Sequence, residues 1–224
     1  MSQSRKSLST GALAAIAIAL GAVVGAAGIY WKGLPSGNAP TSESLAGADV
    51  AACTAQPEML AALKPLARGE VAAMAVRDEP IALPELAFVS EQGDALTLAD
   101  FNGQALLVNL WATWCAPCRA EMPALAELQS ELGDDNFKVL AINIDTGDVA
   151  KPKAFLDEIG VSNLGLYRDA SMGVFNTLKK EGLAFGLPVT LMIGKDGCML
   201  GAMNGPAEWA SKDAKALTGA LKGI

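Results

Sequence analysis

The 224-residue sequence contains no histidine, and this absence excludes several kinds of active site at once. Catalytic triads and Cys-His pairs use histidine as their base, and most catalytic zinc ions are bound through imidazole. Basic residues are also few, because the net charge is −7 and no cluster of Lys or Arg follows residue 6. Since nucleic-acid binding depends on Lys and Arg that neutralise phosphates, the sequence predicts no nucleic-acid partner.

Only four cysteines are present, and two of them form a C-x-x-C motif at Cys115 and Cys118. The motif follows an apolar run at residues 105–111 that is typical of a buried strand, and apolar residues at helical spacing follow it. A cysteine where a helix begins lies near free backbone N–H groups and the positive end of the helix dipole, which stabilise a thiolate. The motif therefore predicts a dithiol redox site, with Cys115 exposed at the helix tip as the nucleophile and Cys118 shielded one turn inside.

Two other interpretations of the motif are weaker. A zinc site would need two more ligands, and only Cys53 and Cys198 are available, each isolated rather than in a second close pair. Two inert core cysteines would leave the flanking Trp114 unexplained. The sequence therefore predicts no bound metal and no cofactor, although a protein that holds a soft metal such as Cu(I) with its four cysteines stays an alternative.

Through LLVNLWATWCAPCRAEMP, residues 106–123, the chain resembles the thioredoxin superfamily and, within it, the TlpA-like membrane-anchored thiol–disulfide interchange proteins. The resemblance extends over roughly residues 80–224. It implies an α/β, thioredoxin-like fold: a mixed central β-sheet flanked by helices, with an N-terminal extension and a central βα insertion near residues 145–170. The matching residues are the two tryptophans before the cysteines, a proline within the active-site helix and a cis-proline loop: Trp111, Trp114, Pro123 and Leu187-Pro188.

The resemblance also assigns expected roles to residues around the cysteine pair. Glu121 matches the active-site glutamate of the extracytoplasmic branch and would exchange a proton with Cys118; a solvated glutamate near the helix start is the alternative. Trp114, Leu187 and Pro188 would form the surface on which a partner protein docks. Asn109 stands where ordinary thioredoxins carry a buried aspartate, so the proton-transfer role of that aspartate has no counterpart here.

By this resemblance the chain is expected to be an enzyme that reduces disulfides of partner proteins. The implied substrates are apocytochrome c or the copper-site proteins of respiratory oxidases, and the implied electron donor is a membrane thiol reductase. A dithiol oxidase or isomerase is the alternative, and its reduction potential would be far higher.

The N-terminal part of the sequence predicts a membrane anchor. Residues 1–10 would be a cytoplasmic tail, the charge-free residues 11–31 a single transmembrane helix about 30 Å long, and the Gly-, Pro- and Ser-rich residues 32–50 a flexible linker. A cleavable signal peptide is the alternative for this run. Both interpretations export residues 51–224, the predicted thioredoxin-like domain, to the periplasm, and the predicted anchor would hold this domain at the inner (cytoplasmic) membrane.

If Cys115 and Cys118 form the redox pair, Cys53 and Cys198 remain to bond each other. In an oxidising compartment this second disulfide would be structural, and two unrelated free thiols are the alternative. The periodicity of the remaining sequence predicts hairpins at residues 86–98 and 190–202 and strands at 105–111, 137–144 and 164–168. It also predicts a helix that starts at the cysteine motif and extends to residue 132, and helices at 53–68, 146–159, 170–180 and 208–222.

Overall fold

A computed structural model describes Cys53 and residues 57–223 of the chain. The strands in this part are β1 (Ala75–Ile81), β2 (Phe88–Val89), β3 (Ala95–Leu96), β4 (Ala105–Trp111), β5 (Phe137–Asn143), β6 (Tyr167–Arg168), β7 (Val189–Ile193) and β8 (Met199–Asn204). The α-helices are α1 (Pro57–Leu63), α2 (Ala116–Leu132), α3 (Ala150–Glu158), α4 (Gly173–Lys180) and α5 (Lys212–Lys222). Short 3-10 helices occupy Lys64–Leu66, Gly69–Val71 and Leu98–Phe101.

The strands form one mixed sheet in the order β1-β8-β7-β4-β5-β6-β2-β3. β4, β5 and β6 run parallel to one another, whereas β7 is antiparallel to β4 and β8 is antiparallel to both β7 and β1. The mixed sheet with flanking helices confirms the predicted thioredoxin-like architecture, and α3 with β6 occupies the place predicted for the central insertion.

The centre of the sheet is buried on both faces. All seven residues of β4 and all five of β7 are buried, as expected for strands that carry continuous apolar runs. Helix α2 packs against β5 and helix α5 against β4. The predicted strand at residues 105–111 is confirmed with the same bounds, and the next predicted strand ends one residue early, at Asn143.

Three predicted helices begin later than their apolar spacing indicated, and near each observed start a polar side chain accepts a backbone N–H. Asp148 Oδ1 accepts the N–H of Ala150, where α3 begins, at 2.9 Å. Asp169 accepts the N–H of Val174 at 2.7 Å beside the start of α4. Ser211 caps α5, with its Oγ accepting the N–H of Ala214 at 3.2 Å. In each case a side-chain oxygen supplies a partner for a first-turn N–H that has none within the helix.

The N-terminal extension is only partly described. The helix predicted at residues 53–68 is present as α1 and then tightens into the 3-10 turn Lys64–Leu66, which contains Pro65. The predicted tail, transmembrane helix and linker, residues 1–50, lie outside the described residues. Among the helices that are described, none is both long enough and apolar enough to cross a membrane.

Candidate active site

Cys115 and Cys118 lie where the chain passes from the carboxyl end of β4 into α2. Their sulfur atoms are bonded, and their Cα atoms are 5.3 Å apart. Cys115 is the N-cap residue of α2, and its Sγ accepts a hydrogen bond from the backbone N–H of Cys118 at 3.3 Å. Pro117 occupies the first turn, where its missing N–H costs nothing. A thiolate formed at Cys115 would keep this N–H donor and the favourable end of the helix dipole.

The predicted exposure of Cys115 is wrong. Cys115 keeps only 6% of its accessible surface and Cys118 none, because the bond to the fully buried sulfur of Cys118 holds Cys115 against the core. Cys118 is shielded, as the sequence indicated. Cys115 is still the more accessible of the two, and this order suits it to meet a partner first.

The other two cysteines, Cys53 and Cys198, are also bonded to each other, with Cα atoms 5.7 Å apart. Cys198 follows the turn after β7, whose last residue, Ile193, lies opposite Leu106 near the start of β4. This disulfide therefore lies at the end of the sheet opposite to Cys115, about 20 Å away along β4. Within the described residues, no cluster of three or more His, Cys, Asp or Glu side chains is arranged to hold a metal ion.

Glu121, one helical turn after Cys118, is buried among three hydrogen-bond donors, and it is not the solvated glutamate of the alternative interpretation. Only 4% of its surface is accessible. Its Oε1 accepts from Asn109 Nδ2 at 2.8 Å, and its Oε2 accepts from the N–H of Ala207 and from Trp209 Nε1, both at 3.1 Å. Burial raises the pKa of Glu121 to about 7, although the three donors oppose this shift. A carboxyl group with a pKa near neutrality is suited to exchange protons under physiological conditions.

Because the pKa of Glu121 is higher in the folded protein than its ordinary value of 4.5, the folded state keeps a proton that the unfolded state loses. The free energy of unfolding is therefore expected to fall as the pH rises from about 4.5 to about 7, by about 3 kcal/mol from this group, and to level off above that range. The expected result for Glu121→Gln is a profile without this component, measured by urea unfolding at a series of pH values.

Glu127→Gln is the matched control, because Glu127 is an exposed carboxylate on the same helix, paired with Lys215. Its profile should keep the decline between about pH 4.5 and 7. If the difference in unfolding free energy between wild type and Glu121→Gln stayed constant across that pH range, Glu121 would titrate like a free glutamate.

The peptide bond Leu187-Pro188 is cis, as the resemblance implied. Val189, the residue after Pro188, lies opposite Leu110 in the β4–β7 pair. The proline therefore lies at the edge of the sheet where β4 ends and the Cys115 loop begins. The Pro188 carbonyl accepts from the N–H of Gly205 at 2.9 Å, which ties this loop to the end of β8.

Two large aromatic side chains are exposed at this edge. Trp114, next to Cys115, is 65% exposed, and Phe185, three residues before Pro188, is 79% exposed. The backbone at Phe185 is held in place, because its N–H donates to Asn204 Oδ1 at 2.8 Å while Asn204 Nδ2 donates to the Leu183 carbonyl at 3.0 Å. Phe185 was not predicted from the sequence, although its position so near the cis-proline motif was an available signal.

A second missed residue, Asp145, holds the loop that leads to the cysteines. Both of its carboxylate oxygens lie 3.2 Å from the N–H of Thr113, and Asn143 Nδ2 donates to it at 3.1 Å. β4 and β5 are parallel, so residues that follow their carboxyl ends meet at one edge of the sheet. Trp111, by contrast, is buried and packs against Phe155 of α3, with ring centroids 5.7 Å apart.

Comparison with known proteins bears on the same part of the chain. The family model described as Redoxin matches residues 78–218. The thioredoxin-like protein YneN of Bacillus subtilis is 38% identical over 76 residues, which are 33% of this chain and 44% of that protein. The thiol-disulfide oxidoreductase ResA of Bacillus thuringiensis is 28% identical over 122 residues, 54% of this chain and 67% of that protein.

A solved structure of a putative thiol:disulfide interchange protein DsbE from Chlorobium tepidum superposes with a TM-score of 0.52 at 24% identity. The match covers 62% of this chain and 94% of that one, and it supports the fold. The chain spans 44% of the length of YneN and 39% of the length of a ResA from Oceanobacillus iheyensis.

Proposed function

The chain belongs to the Redoxin family, within the thioredoxin superfamily, and from this premise we propose that it is a TlpA-like thiol–disulfide oxidoreductase. The observation that carries the proposal is the Cys115–Cys118 disulfide at the amino end of α2, beside a cis-proline loop and one helical turn before a buried glutamate. A disulfide closed by two residues of one helical turn can open and re-form while the helix stays in place.

In the proposed reaction, the Cys115 thiolate attacks one sulfur of a partner's disulfide, and the other partner sulfur leaves as a thiolate. Glu121 takes the proton of Cys118, and the Cys118 thiolate then attacks Cys115 Sγ. This second step breaks the mixed disulfide, releases the partner's remaining sulfur as a thiolate and closes Cys115–Cys118. Two electrons pass to the partner, and its two thiolates take up protons from Glu121 and from solvent.

The direction proposed is reduction of the partner. Glu121 follows Cys118 by three residues, so the two side chains are neighbours on the helix surface. A negative charge on Glu121 disfavours a second negative charge on Cys118, so the reduced form lacks the stabilisation that an acidic thiol would give it, and the couple is a better reductant. The Ala-Pro dipeptide between the cysteines, which resembles the reducing branch, supports the same direction.

The reduction potential tests this direction. Equilibration of the Cys115–Cys118 couple with redox buffers of defined potential should give a reduction potential like that of reducing thioredoxins, about −270 mV. A value near the about −120 mV of strong periplasmic oxidants would instead make the protein an oxidase or isomerase. Cys53→Ala/Cys198→Ala protein provides the control, because only one couple then titrates.

The proposed substrates are apocytochrome c or copper-site proteins of a respiratory oxidase, with a membrane thiol reductase as the electron donor. The proposed location is the inner membrane, with residues 11–31 as a single-pass anchor and the domain in the periplasm. The TlpA-like motif supports the proposed substrates and electron donor, and the charge-free run at residues 11–31 supports the proposed anchor. Fusion of a reporter that is active only in the periplasm to the carboxyl end tests the location, and an inactive fusion would contradict it.

Phe185 and Trp114 are proposed to bind the partner, because large exposed aromatic side chains contribute much of the affinity at protein interfaces. The variant Phe185→Ser is expected to raise KM for a protein substrate by about tenfold with kcat unchanged. Reduction of a small-molecule disulfide should stay at the wild-type rate, since it needs no docking surface.

Val89→Ser is the matched control for Phe185→Ser. Val89 is exposed too, but it lies on β2, separated from β7 by three strands. Equal effects of the two substitutions on KM would show that Phe185 is an ordinary surface residue.

A further inference from the structure

Asn109 lies at the middle of β4 and is completely buried. Its Nδ2 donates to Glu121 Oε1 at 2.8 Å and to Thr190 Oγ1 at 3.1 Å. Its Oδ1, in contrast, has no hydrogen-bond partner among the described residues. A buried amide oxygen without a hydrogen bond lowers the stability of the folded state, and such unpaired groups are rare in native proteins.

The arrangement seen around Glu121 fits its ionised form. Asn109, Ala207 and Trp209 each direct an N–H group at the carboxylate, so both of its oxygens accept and neither needs to donate. A proton added to Oε1 would point at Asn109 Nδ2, and two donors would then face each other. The same contacts therefore cannot serve the protonated form.

A half-turn of the Asn109 amide removes this conflict. The amide is nearly symmetric in shape, so the turn exchanges Oδ1 and Nδ2 without displacing neighbouring atoms. Oδ1 would then accept from the protonated Glu121 and from the hydroxyl of Thr190, which can act as donor or acceptor. One end of the amide stays unpaired in either orientation, so the cost of the orphan atom does not strongly favour one over the other.

We propose that the Asn109 side chain is a two-position switch that turns over whenever Glu121 gains or loses a proton. Asn109 is thus a positioning residue: it donates to the carboxylate and accepts from the carboxylic acid. In the proposed function the proton that reaches Glu121 comes from Cys118. That identification of the source rests on the proposed function, whereas the switch itself does not.

The surroundings of Glu121 leave this role to the amide. The groups that bind Glu121 come from β4 and from the segment after β8, and all of them are neutral. Thr190 of β7, which completes the contacts of Asn109, is neutral as well. On Glu121's own helix, Cys118 lies one turn earlier, and it can exchange a proton only after its disulfide with Cys115 is reduced. The Ala207 and Trp209 N–H groups can only donate, so neither can follow a change in the protonation of Glu121.

NMR of the full domain tests the switch directly. The carboxyl carbon of Glu121 and the side-chain NH₂ group of Asn109 are observed together across the pH range. The expected result is one shared midpoint, with coupling through the hydrogen bond from Asn109 Nδ2 to Glu121 present only above it. Asn109 signals that stay constant while Glu121 titrates would overturn the proposal, as would a Glu121 carboxyl that does not titrate.

Two substitutions separate positioning from simple packing. In Asn109→Leu the carboxylate loses a donor, and the Glu121 midpoint should rise by about one pH unit. In Asn109→Asp the side chain can accept but no longer donate, and the rise should be larger. Thr218→Val is the control, because Thr218 is buried on α5 and its hydroxyl also finds no hydrogen-bond partner in the described part of the chain. It should leave the midpoint unchanged, and equal midpoints in all four proteins would overturn the proposal.

The same samples distinguish failure of the switch from failure of the proposed function. If the wild-type protein reduces a disulfide peptide but its Asn109 signals do not change with pH, the switch is contradicted and the oxidoreductase function is supported. If Glu121 and Asn109 share one midpoint but the protein exchanges no disulfides, the switch is supported and the oxidoreductase function is contradicted.

Discussion

Cys118→Ser protein is expected to lose all catalytic turnover and to accumulate as a mixed disulfide between Cys115 and its partner protein. The reason is that Cys115 can still attack, whereas the second attack, which releases the reduced partner, needs the sulfur of Cys118. Affinity purification of this variant from its own host, followed by peptide mapping under non-reducing conditions, identifies what is bonded to Cys115. The proposed partners, apocytochrome c or copper-site proteins, should be among the captured chains.

Cys115→Ser is the matched control, because it keeps the fully buried Cys118 and removes the more accessible of the two sulfurs. It should be inactive and should capture no partner. If Cys115→Ser captured the same proteins, or if Cys118→Ser still turned over, the assignment of the two sulfurs would be reversed or wrong.

Loss of the Cys53–Cys198 disulfide is expected to lower the free energy of unfolding by about 5 kcal/mol. The bond joins residues separated by 145 positions, and the chain-entropy model gives a large effect for so long a loop. Cys53→Ala/Cys198→Ala protein, compared with wild type by urea unfolding under oxidising conditions, measures the difference. Because this disulfide and Cys115 lie at opposite ends of the sheet, the rate of disulfide exchange per folded molecule should not change.

Cys53→Ala alone provides the control for the buried site, since it opens the same loop but keeps the sulfur of Cys198 in the core. It should lose about as much stability as the double variant. A loss below about 1 kcal/mol in both would mean that the bond does not constrain the unfolded chain. An altered exchange rate would contradict the separation of the two disulfides.

The strand and helix that carry the cysteine pair could be predicted because their signals are local. The apolar run that forms β4, the C-x-x-C motif and the helical spacing after it follow one another without interruption, and β4 has the predicted bounds. Each of these elements is specified by its own residues, so the position of Cys115 at the start of α2 was accessible from the sequence.

Strand β1 could not be predicted in the same way. Its sequence, AVRDEPI, carries three charged residues and Pro80, and most of its side chains are not buried. It is an edge strand, and its extended conformation comes from antiparallel pairing with β8 far along the chain. Such pairing leaves no apolar period in the sequence of the edge strand.

The hydrogen-bond partners of Glu121 could not be predicted from the sequence either. Its partners Ala207 and Trp209 lie 86 and 88 positions away, and they reach Glu121 only because the segment after β8 folds back toward α2. The three-residue spacing from Cys118 fits a solvated glutamate and a buried one equally well. The burial of Cys115 was missed for a related reason, since it depends on the core around its partner sulfur.

The most direct test of the central claim is the pH dependence of alkylation of the reduced protein, with the modified cysteine located by peptide mapping. In Cys53→Ala/Cys198→Ala protein, reduction opens Cys115–Cys118 alone, and the label then reports which sulfur becomes a thiolate. We expect alkylation at Cys115, with a midpoint well below the value of about 8.5 for a free cysteine. A midpoint near that value, or labelling of Cys118 before Cys115, would contradict the account.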